Sequence, residues 1–275
     1  RPVQVYLDGL YLCLYFLTER IEDDFCADYL GGSKNDYDVL EAPSASGATS
    51  VMKVLTGDKK TIPPEWTTLY AKASAGLASA QAYQDIQQYV DLSAMIDYML
   101  MIYYVGSRDG PTYLGHDSSP VPRNFYALRR DNPAGPFIFL PWDTEWCLED
   151  TRVNRLSIMG VYNPSVLMNQ FAANVDFKML LADHVHRQFH NGGPLTREGA
   201  TARYKALSDE IRGPIIAEAA RWGDARSNYT PASWENEITR LVNSYFSVRT
   251  DIVLGQLKSK GWYPSVEAPS YQIDG

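Results

Sequence analysis

The sequence predicts an α+β fold, with strands concentrated in the first half and helices in the second half. Two aromatic-rich apolar runs near the start flank an Asp-Gly pair, which is a strong hairpin signal. One apolar stretch near the middle has the length of a buried helix, and from residue 174 onward the apolar residues follow helical spacing. A chain of 275 residues is long enough for one large domain or for two lobes that share a cleft.

The remaining elements follow from turn residues and from the spacing of apolar side chains. The predicted strands cover residues 3–7, 10–17, 37–40, 124–129 and 137–141. The predicted helices cover residues 19–29, 65–80, 91–105, 175–190, 196–221 and, with a break, 230–260. Residues 42–49 are small and turn-rich and predict a loop. Asp91 is a good N-cap for the 91–105 helix, whose apolar residues cover most of its circumference, so we expect that helix to be central.

The composition narrows the classes of function. The formal net charge is −8 at pH 7, which argues against a nucleic-acid partner because phosphate binding needs a basic stripe. The same charge argues against binding to anionic membrane surfaces. No run reaches the ~18 apolar residues of a membrane span. Three cysteines, Cys13, Cys26 and Cys147, are too few and too scattered for a disulfide scaffold or a zinc site.

Three polar residues stand where predicted elements end and loops begin. Asp109 follows the central helix, Asn124 begins a strand, and Asp143 follows a strand. This order suits phosphoryl transfer, because one carboxylate can orient and deprotonate an attacking hydroxyl while an amide oxygen and a second carboxylate hold Mg²⁺ on the phosphates of ATP. Glu145 lies two residues after Asp143, and in an extended backbone the two side chains share a face, so Glu145 could assist with the metal.

Each of the three has a plainer interpretation. Asp109 precedes Gly-Pro and could be an ordinary turn residue, and Asn124 could be a cap at the start of a strand. Asp143 lies close to Trp142 and Trp146, which predicts an apolar setting where a carboxylate without a partner or a metal would be costly.

Several short segments, spread over most of the chain, carry a family pattern. They are Val5-Tyr6-Leu7-Asp8-Gly9-Leu10-Tyr11, Tyr15, Thr18-Glu19-Arg20, Asp109-Gly110, Asn124-Phe125-Tyr126, Pro141-Trp142-Asp143-Thr144-Glu145, Arg221-Trp222-Gly223-Asp224 and Gly261-Trp262-Tyr263-Pro264. In these segments the chain resembles the CotH kinase family, named for a spore-coat kinase, and particularly its larger bacterial members. The first hairpin and the Pro-Trp-Asp segment are the most specific parts.

The resemblance implies a divergent, two-lobed protein-kinase-like fold and phosphorylation of protein serine or threonine by ATP, with Mg²⁺ or Mn²⁺. By position, Asp109 resembles the catalytic aspartate, Asp143 the metal-binding aspartate, and Asn124 the nearby metal- or phosphate-site asparagine. Glu19 resembles the acid that pairs with the nucleotide-binding lysine, and that lysine is expected N-terminal to the first hairpin.

The same resemblance implies a domain organisation and a location. Residues 1–275 would form one kinase domain that is incomplete at its N-terminus, with 1–90 as the remainder of the N-lobe and a linker and 91–275 as the C-lobe. A secreted or cell-surface location follows from the resemblance alone.

Two other functions stay open. Cys13 stands between Tyr11 and Tyr15 where the first hairpin of the family usually has glycine. This departure, with the expected lysine outside the chain, favours a catalytically inactive extracellular interaction domain. Nucleotidyl transfer from the same ATP site, which would attach AMP instead of phosphate, is the third alternative.

Histidine and arginine residues elsewhere have plainer interpretations. His184, His186 and His190 do not form an HExxH pattern, and we expect them on a helix surface. Arg20 or Arg129 could clamp a phosphate, with a surface ion pair as the alternative. The Arg221-Trp222-Gly223-Asp224 segment predicts a helix end with an aromatic anchor.

Overall fold

The computed structural model describes residues 1–42, 52–56, 61–114, 120–225 and 228–266. All but the first residue of the predicted 42–49 loop lies outside these ranges. The strands described are β1 (Pro2–Leu7), β2 (Leu10–Phe16), β3 (Tyr37–Glu41), β4 (Lys53–Val54), β5 (Phe125–Arg130) and β6 (Ile138–Pro141). The α-helices described are α1 (Asp23–Leu30), α2 (Pro64–Ala75), α3 (Ala80–Ile86), α4 (Leu92–Val105), α5 (Pro164–Phe171), α6 (Val175–Phe189), α7 (Arg197–Ile211), α8 (Pro214–Trp222), α9 (Pro231–Arg240) and α10 (Phe246–Ser259). The predicted α+β class, with antiparallel strands first and a helical C-terminal half, is confirmed.

The predicted first hairpin is present and forms a separate two-stranded sheet. Strands β1 and β2 pair antiparallel, and Asp8 and Gly9 between them both have positive φ, as the tight turn of an Asp-Gly hairpin requires. The hairpin rests on α8. The Glu218 carboxylate accepts hydrogen bonds from the Tyr11 hydroxyl and the Leu14 backbone N–H, each at 2.8 Å.

The larger sheet has the antiparallel order β4-β3-β5-β6. A small apolar cluster that includes Cys26 of α1 and Tyr126 of β5 lies on one side of it. The main core includes Phe125 and Phe139 of the same sheet and the buried face of α4. Strand β3 precedes residue 90 and β5 follows it, yet the two are neighbours in this sheet. The division into a 1–90 and a 91–275 lobe stays a prediction.

Helix α4 is central, as its sequence predicts. The Asp91 side chain accepts a hydrogen bond from the Ala94 N–H at 2.9 Å, and the helix ends at Gly106, whose φ is 64°. The helix lies against β6, α5, α6 and α10. Its fully buried side chains, such as Met99 and Ile102, each contribute about 1.5–3 kcal/mol of hydrophobic stabilisation. The rigid end of this helix carries the loop that contains Asp109.

A buried arginine fixes the carboxyl end of α4. Arg249 of α10 is fully buried, and burial lowers the pKa of its guanidinium. Its nitrogens donate to the backbone carbonyls of Tyr103, Tyr104, Thr151 and Val153. The last carbonyls of a helix have no partner within the helix, so Arg249 supplies the missing donors.

Several predicted helix boundaries were wrong. The helix predicted from Glu19 begins at Asp23, and residues 17–20 are irregular. The 65–80 segment stops at Ala75, because Gly76 adopts a φ of 104° that a helix cannot continue. The 196–221 segment is two helices, since Pro214 cannot supply the backbone donor needed to continue α7. Helix α5 was missed, and a π-helical segment, Leu241–Tyr245, joins α9 to α10.

Candidate functional site

Asn124 lies where three segments of the chain meet. Its Nδ2 donates to the backbone carbonyl of Asp109 at 2.9 Å and to that of Asp143 at 3.2 Å. The Trp142 N–H donates to the Asn124 carbonyl at 3.2 Å. Asn124 has a φ of 50°, a left-handed conformation that asparagine tolerates better than most residues. One side chain therefore holds the loop after α4 against the loop after β6, and Asp109, Asn124 and Asp143 lie together.

Backbone hydrogen bonds reinforce this arrangement. The Arg108 N–H donates to the Trp146 carbonyl at 3.0 Å, and the Leu148 N–H donates to the Val105 carbonyl at 2.8 Å. Both bonds join the end of α4 to the segment after β6. The relative position of the loop that contains Asp109 and the segment that contains Asp143 is thus fixed by backbone hydrogen bonds as well as by the Asn124 side chain.

The loop that carries Asp109 is also anchored on its other side. The Thr112 hydroxyl donates to the Ser107 carbonyl at 3.0 Å. Asn163, the N-cap of α5, donates from its side chain to the Pro111 carbonyl, and the Ser165 hydroxyl lies 3.3 Å from the same oxygen. Helix α5, which the sequence pattern did not reveal, therefore braces the candidate catalytic loop.

Asp109 is buried and forms an ion pair with Arg123. Arg123 Nε contacts Asp109 Oδ1, and Nη2 donates to Oδ2 at 3.3 Å. The guanidinium of Arg123 lies over the Tyr113 ring, 4.5 Å from its centroid. The sequence interpretation missed Arg123, and its position directly before Asn124 was the signal available.

Asp143 is exposed, so the expectation of an apolar setting between two tryptophans was wrong. Its φ of 48° turns the chain. Trp142 packs edge-on against Tyr126 at 5.4 Å, while Trp146 is half-exposed with the Arg108 guanidinium 5.7 Å away. The two rings thus face other neighbours and leave the Asp143 carboxylate open to solvent.

The pKa of Glu145 is raised. A backbone hydrogen bond is the largest single influence and lowers it, but the hydrogen bond with the Asp143 side chain, burial, and the charges of Asp143 and Asp109 together raise it by more. The backbone at Asp143 is not extended as assumed, yet the Asp143 carboxylate still raises the pKa of Glu145. Negative charge is concentrated here, and a cation would relieve the repulsion.

The donor set fits a hard divalent cation. Both carbonyl contacts of Asn124 use Nδ2, so the amide orientation is defined, and Oδ1 is buried with no hydrogen-bond donor among the described residues. Amide and carboxylate oxygens are the ligands that Mg²⁺ takes beside phosphates. Within the described ranges no group of three or more His, Cys, Asp and Glu side chains is placed to hold a metal by itself. Asn124 Oδ1, Asp143 and Glu145 are the oxygen donors that could hold a cation here.

Glu19 lies apart from this hydrogen-bonded group. It is exposed, and its carboxylate accepts a hydrogen bond from the Tyr29 hydroxyl at 2.5 Å. No lysine forms an ion pair with it in the part of the chain that the structure describes. Its role beside a nucleotide-binding lysine stays a prediction.

The other basic residues have structural roles. Arg129 is buried and pairs with Glu65 at 2.6 Å, and Arg20 pairs with Glu22 at 2.7 Å. His184 is buried against Asp97, with 2.5 Å between His184 Nδ1 and Asp97 Oδ1, so its predicted surface position was wrong.

The α+β architecture, with carboxylates and an amide gathered where two loops meet a strand, is consistent with a kinase-like fold. The family model described as CotH kinase protein matches residues 1–252. The chain therefore belongs to the CotH kinase family, as the sequence motifs predict. The comparisons with curated proteins and with solved structures gave no match. No described helix combines the length and apolar character needed to cross a bilayer.

Proposed function

We propose that the protein is a kinase that transfers the terminal phosphate of ATP to serine or threonine hydroxyls of proteins, with Mg²⁺ or Mn²⁺ as cofactor. The observation that carries the proposal is the Asn124 side chain, which holds Asp109 and Asp143 in one group. Membership of the CotH kinase family supports a kinase-like protein that uses a nucleotide.

Each residue then has a distinct role. Asp109 accepts a hydrogen bond from the attacking hydroxyl, orients it, and takes its proton as the new oxygen–phosphorus bond forms. The bond from the terminal phosphorus to the bridging oxygen breaks in the same step, and ADP leaves with that oxygen. Asp143, Glu145 and Asn124 Oδ1 would hold the divalent cation, which neutralises charge on the phosphates when bound. Asn124 Nδ2 keeps the base and the cation ligands in register.

Two substitutions in the full-length protein test these roles. Asp143→Ala should lower phosphate transfer by about a hundredfold or more, because the developing charge loses its cation. Asp109→Asn should lower transfer similarly and leave binding of Mg-ATP nearly unchanged. Glu149→Ala, on the same loop but paired with Arg108 at 2.9 Å, serves as the control. Transfer to protein is followed by mass spectrometry, and transfer at the wild-type rate by Asp143→Ala would contradict the proposal.

A catalytically inactive interaction domain is the second candidate. The Arg123 ion pair favours it, because the carboxylate proposed as base is already engaged by a cation. Calorimetry with ATP and Mg²⁺ separates the two, since an interaction domain that has lost the site shows no binding heat. If AMP in place of phosphate is found on the modified protein, nucleotidyl transfer from the same site is the activity.

We also propose a secreted or cell-surface location and two lobes, 1–90 and 91–275. The association of the family with the spore coat supports the location. Fractionation of producing cells tests it, and limited proteolysis near residue 90 tests the lobes.

A further inference from the structure

Arg123 has donors that its known partners do not use. A guanidinium carries five N–H donors in a rigid planar fork. Nε and Nη2 of Arg123 face the Asp109 carboxylate. Nη1 is buried and donates to no acceptor in the described part of the chain. The Arg123 side chain as a whole is 17% exposed, so the site is open to solvent on one side. A buried donor without an acceptor is unfavourable, and Nη1 therefore favours an acceptor supplied by another molecule.

The buried Arg249 shows what a purely structural arginine looks like in this fold. Its Nε, Nη1 and Nη2 all donate to backbone carbonyls. Arg123 is also held in place, by Asp109 on one edge and by the Tyr113 ring on one face. Arg123 thus has a defined partner and a defined ring contact, but it lacks the complete hydrogen bonding of Arg249.

The place of Arg123 identifies the kind of acceptor. If Asp109 receives the proton of the attacking hydroxyl, that hydroxyl oxygen lies between Asp109 and the phosphorus atom it attacks. A guanidinium paired with Asp109 is then next to the terminal phosphate and farther from the other two. Planar N–H forks match phosphate oxygens well.

We propose that Arg123 is a positioning residue that donates from Nη1 to the terminal phosphate of ATP while Nε and Nη2 hold Asp109. The inference rests on the proposed function and assigns the recognition of the terminal phosphate to one side chain. Arg20 pairs with Glu22 at the surface. Arg129 also has a buried Nε without an acceptor among the described residues, but its partners are Glu65 and Asp38 and not Asp109, so it lacks the contact that places Arg123 beside the attacking hydroxyl.

Calorimetry with Mg-ATP and Mg-ADP tests this assignment in the full-length protein and in Arg123→Lys. Lysine keeps the charge beside Asp109 but lacks the fork. We expect the affinity for ATP to fall about tenfold or more and the affinity for ADP to change by less than about twofold. Arg212→Lys is a matched control, because Arg212 also pairs with carboxylates and lies 5.3 Å from a ring centroid, that of Trp234. It should change neither affinity.

The outcomes separate the inference from the function on which it rests. If the wild type binds neither nucleotide, the kinase proposal fails and the role of Arg123 fails with it. If the wild type binds both and Arg123→Lys lowers both affinities equally, only the role of Arg123 is overturned. If Arg123→Lys folds poorly, a double variant replaces it, with Asp109→Asn and Arg123→Gln together. This double variant has no unpaired charge at the two positions, and its nucleotide affinities are compared with those of Asp109→Asn. An unchanged ATP to ADP affinity ratio between those two also overturns the assignment.

Discussion

The Nε atom of Arg249 lies 2.8 Å from the carbonyl oxygen of Tyr104, at the end of the helix that leads to Asp109. The Tyr245 hydroxyl donates to the same carbonyl at 2.8 Å. Side chains near the junction of the π-helical segment and α10 therefore complete the hydrogen bonding of α4. The position of the candidate catalytic loop depends on a helix about 140 residues away in sequence.

Arg249→Met should destabilise the protein by roughly 3 kcal/mol. Methionine has similar length, but it leaves the carbonyls of Tyr103 and Thr151 without a side-chain donor, and each such group costs about 1–3 kcal/mol. Urea unfolding measures the change. Arg212→Met removes an arginine from exposed ion pairs and should change stability by less than about 1 kcal/mol. Equal losses in the two variants would show that Arg249 has no special role.

Asn124→Leu should lower stability by about 1–3 kcal/mol, because the carbonyls of Asp109 and Asp143 lose their donor. The left-handed φ of 50° at this position adds about 1–2 kcal/mol, because leucine tolerates that conformation poorly. It should also abolish the rise in melting temperature that Mg-ATP gives the wild type. Asn169→Leu is the matched control, since the Asn169 amide donates to two carbonyls, of Leu156 and Ser165. We expect a smaller loss of stability there, because Asn169 lies in α5 with helical backbone, and we expect the Mg-ATP effect to stay intact. A preserved Mg-ATP effect in Asn124→Leu would remove Asn124 from the site.

The raised pKa of Glu145 predicts a pH dependence of stability. The folded protein holds this proton more tightly than the unfolded chain does. The resulting stabilisation is therefore complete below the unfolded pKa of about 4.3 and is lost as the pH rises through the folded pKa. Glu145→Gln should melt at a higher temperature than the wild type at neutral pH, and the two should converge near pH 4.

The control for this measurement is Glu149→Gln. Glu149 pairs with Arg108, so its loss should not raise the melting temperature at neutral pH. Mg²⁺ should narrow the gap between Glu145→Gln and the wild type, because a bound cation offsets the repulsion among the carboxylates. A pH-independent gap would mean that Glu145 does not interact with Asp143 and Asp109.

Local patterns predicted much of the fold correctly. Asp8-Gly9 defines the first hairpin, and Asp91 and Gly106 mark the ends of α4, because turns and caps depend on a few neighbouring residues. The same kind of signal was ambiguous at Glu19, since an acidic residue is favourable near a helix start whether or not a helix begins there. The structure begins that helix at Asp23.

The contacts that complete the site could not be predicted from local patterns. Asn124 was predicted as a metal or phosphate ligand, but its donation to two carbonyls distant in sequence has no local signature. The ion pair of Arg123 with Asp109 joins residues that are 14 apart in sequence. Arg249 has the sequence context of an ordinary polar helix residue, and only the packed fold reveals the four backbone carbonyls around it. Such partners are set by tertiary packing.

The hairpin's attachment to α8 supports a last prediction. An isolated two-stranded hairpin is only marginally stable in water, and Glu218 binds both the Tyr11 hydroxyl and the Leu14 N–H. Glu218→Ala should therefore speed amide exchange in residues 2–16 by about tenfold or more, because each hydrogen bond to a charged group contributes about 1.5–3 kcal/mol and a factor of ten corresponds to about 1.4 kcal/mol. Exchange in the buried α4 should stay unchanged, because the core does not include the hairpin.

Amide exchange is followed by mass spectrometry, and two further variants test the same contact between the hairpin and α8. Trp222→Phe keeps an aromatic ring but removes the hydrogen bond from Nε1 to the Leu12 carbonyl, 2.6 Å in length, so we expect a smaller acceleration in the same peptides. Glu235 lies on α9, next to α8, and its exposed carboxylate pairs with Arg212. Glu235→Ala should therefore leave amide exchange in the hairpin at the wild-type rate. If Glu218→Ala also leaves the exchange rate of the hairpin at the wild-type value, the hairpin is stabilised by its own strands and the contact with α8 contributes little.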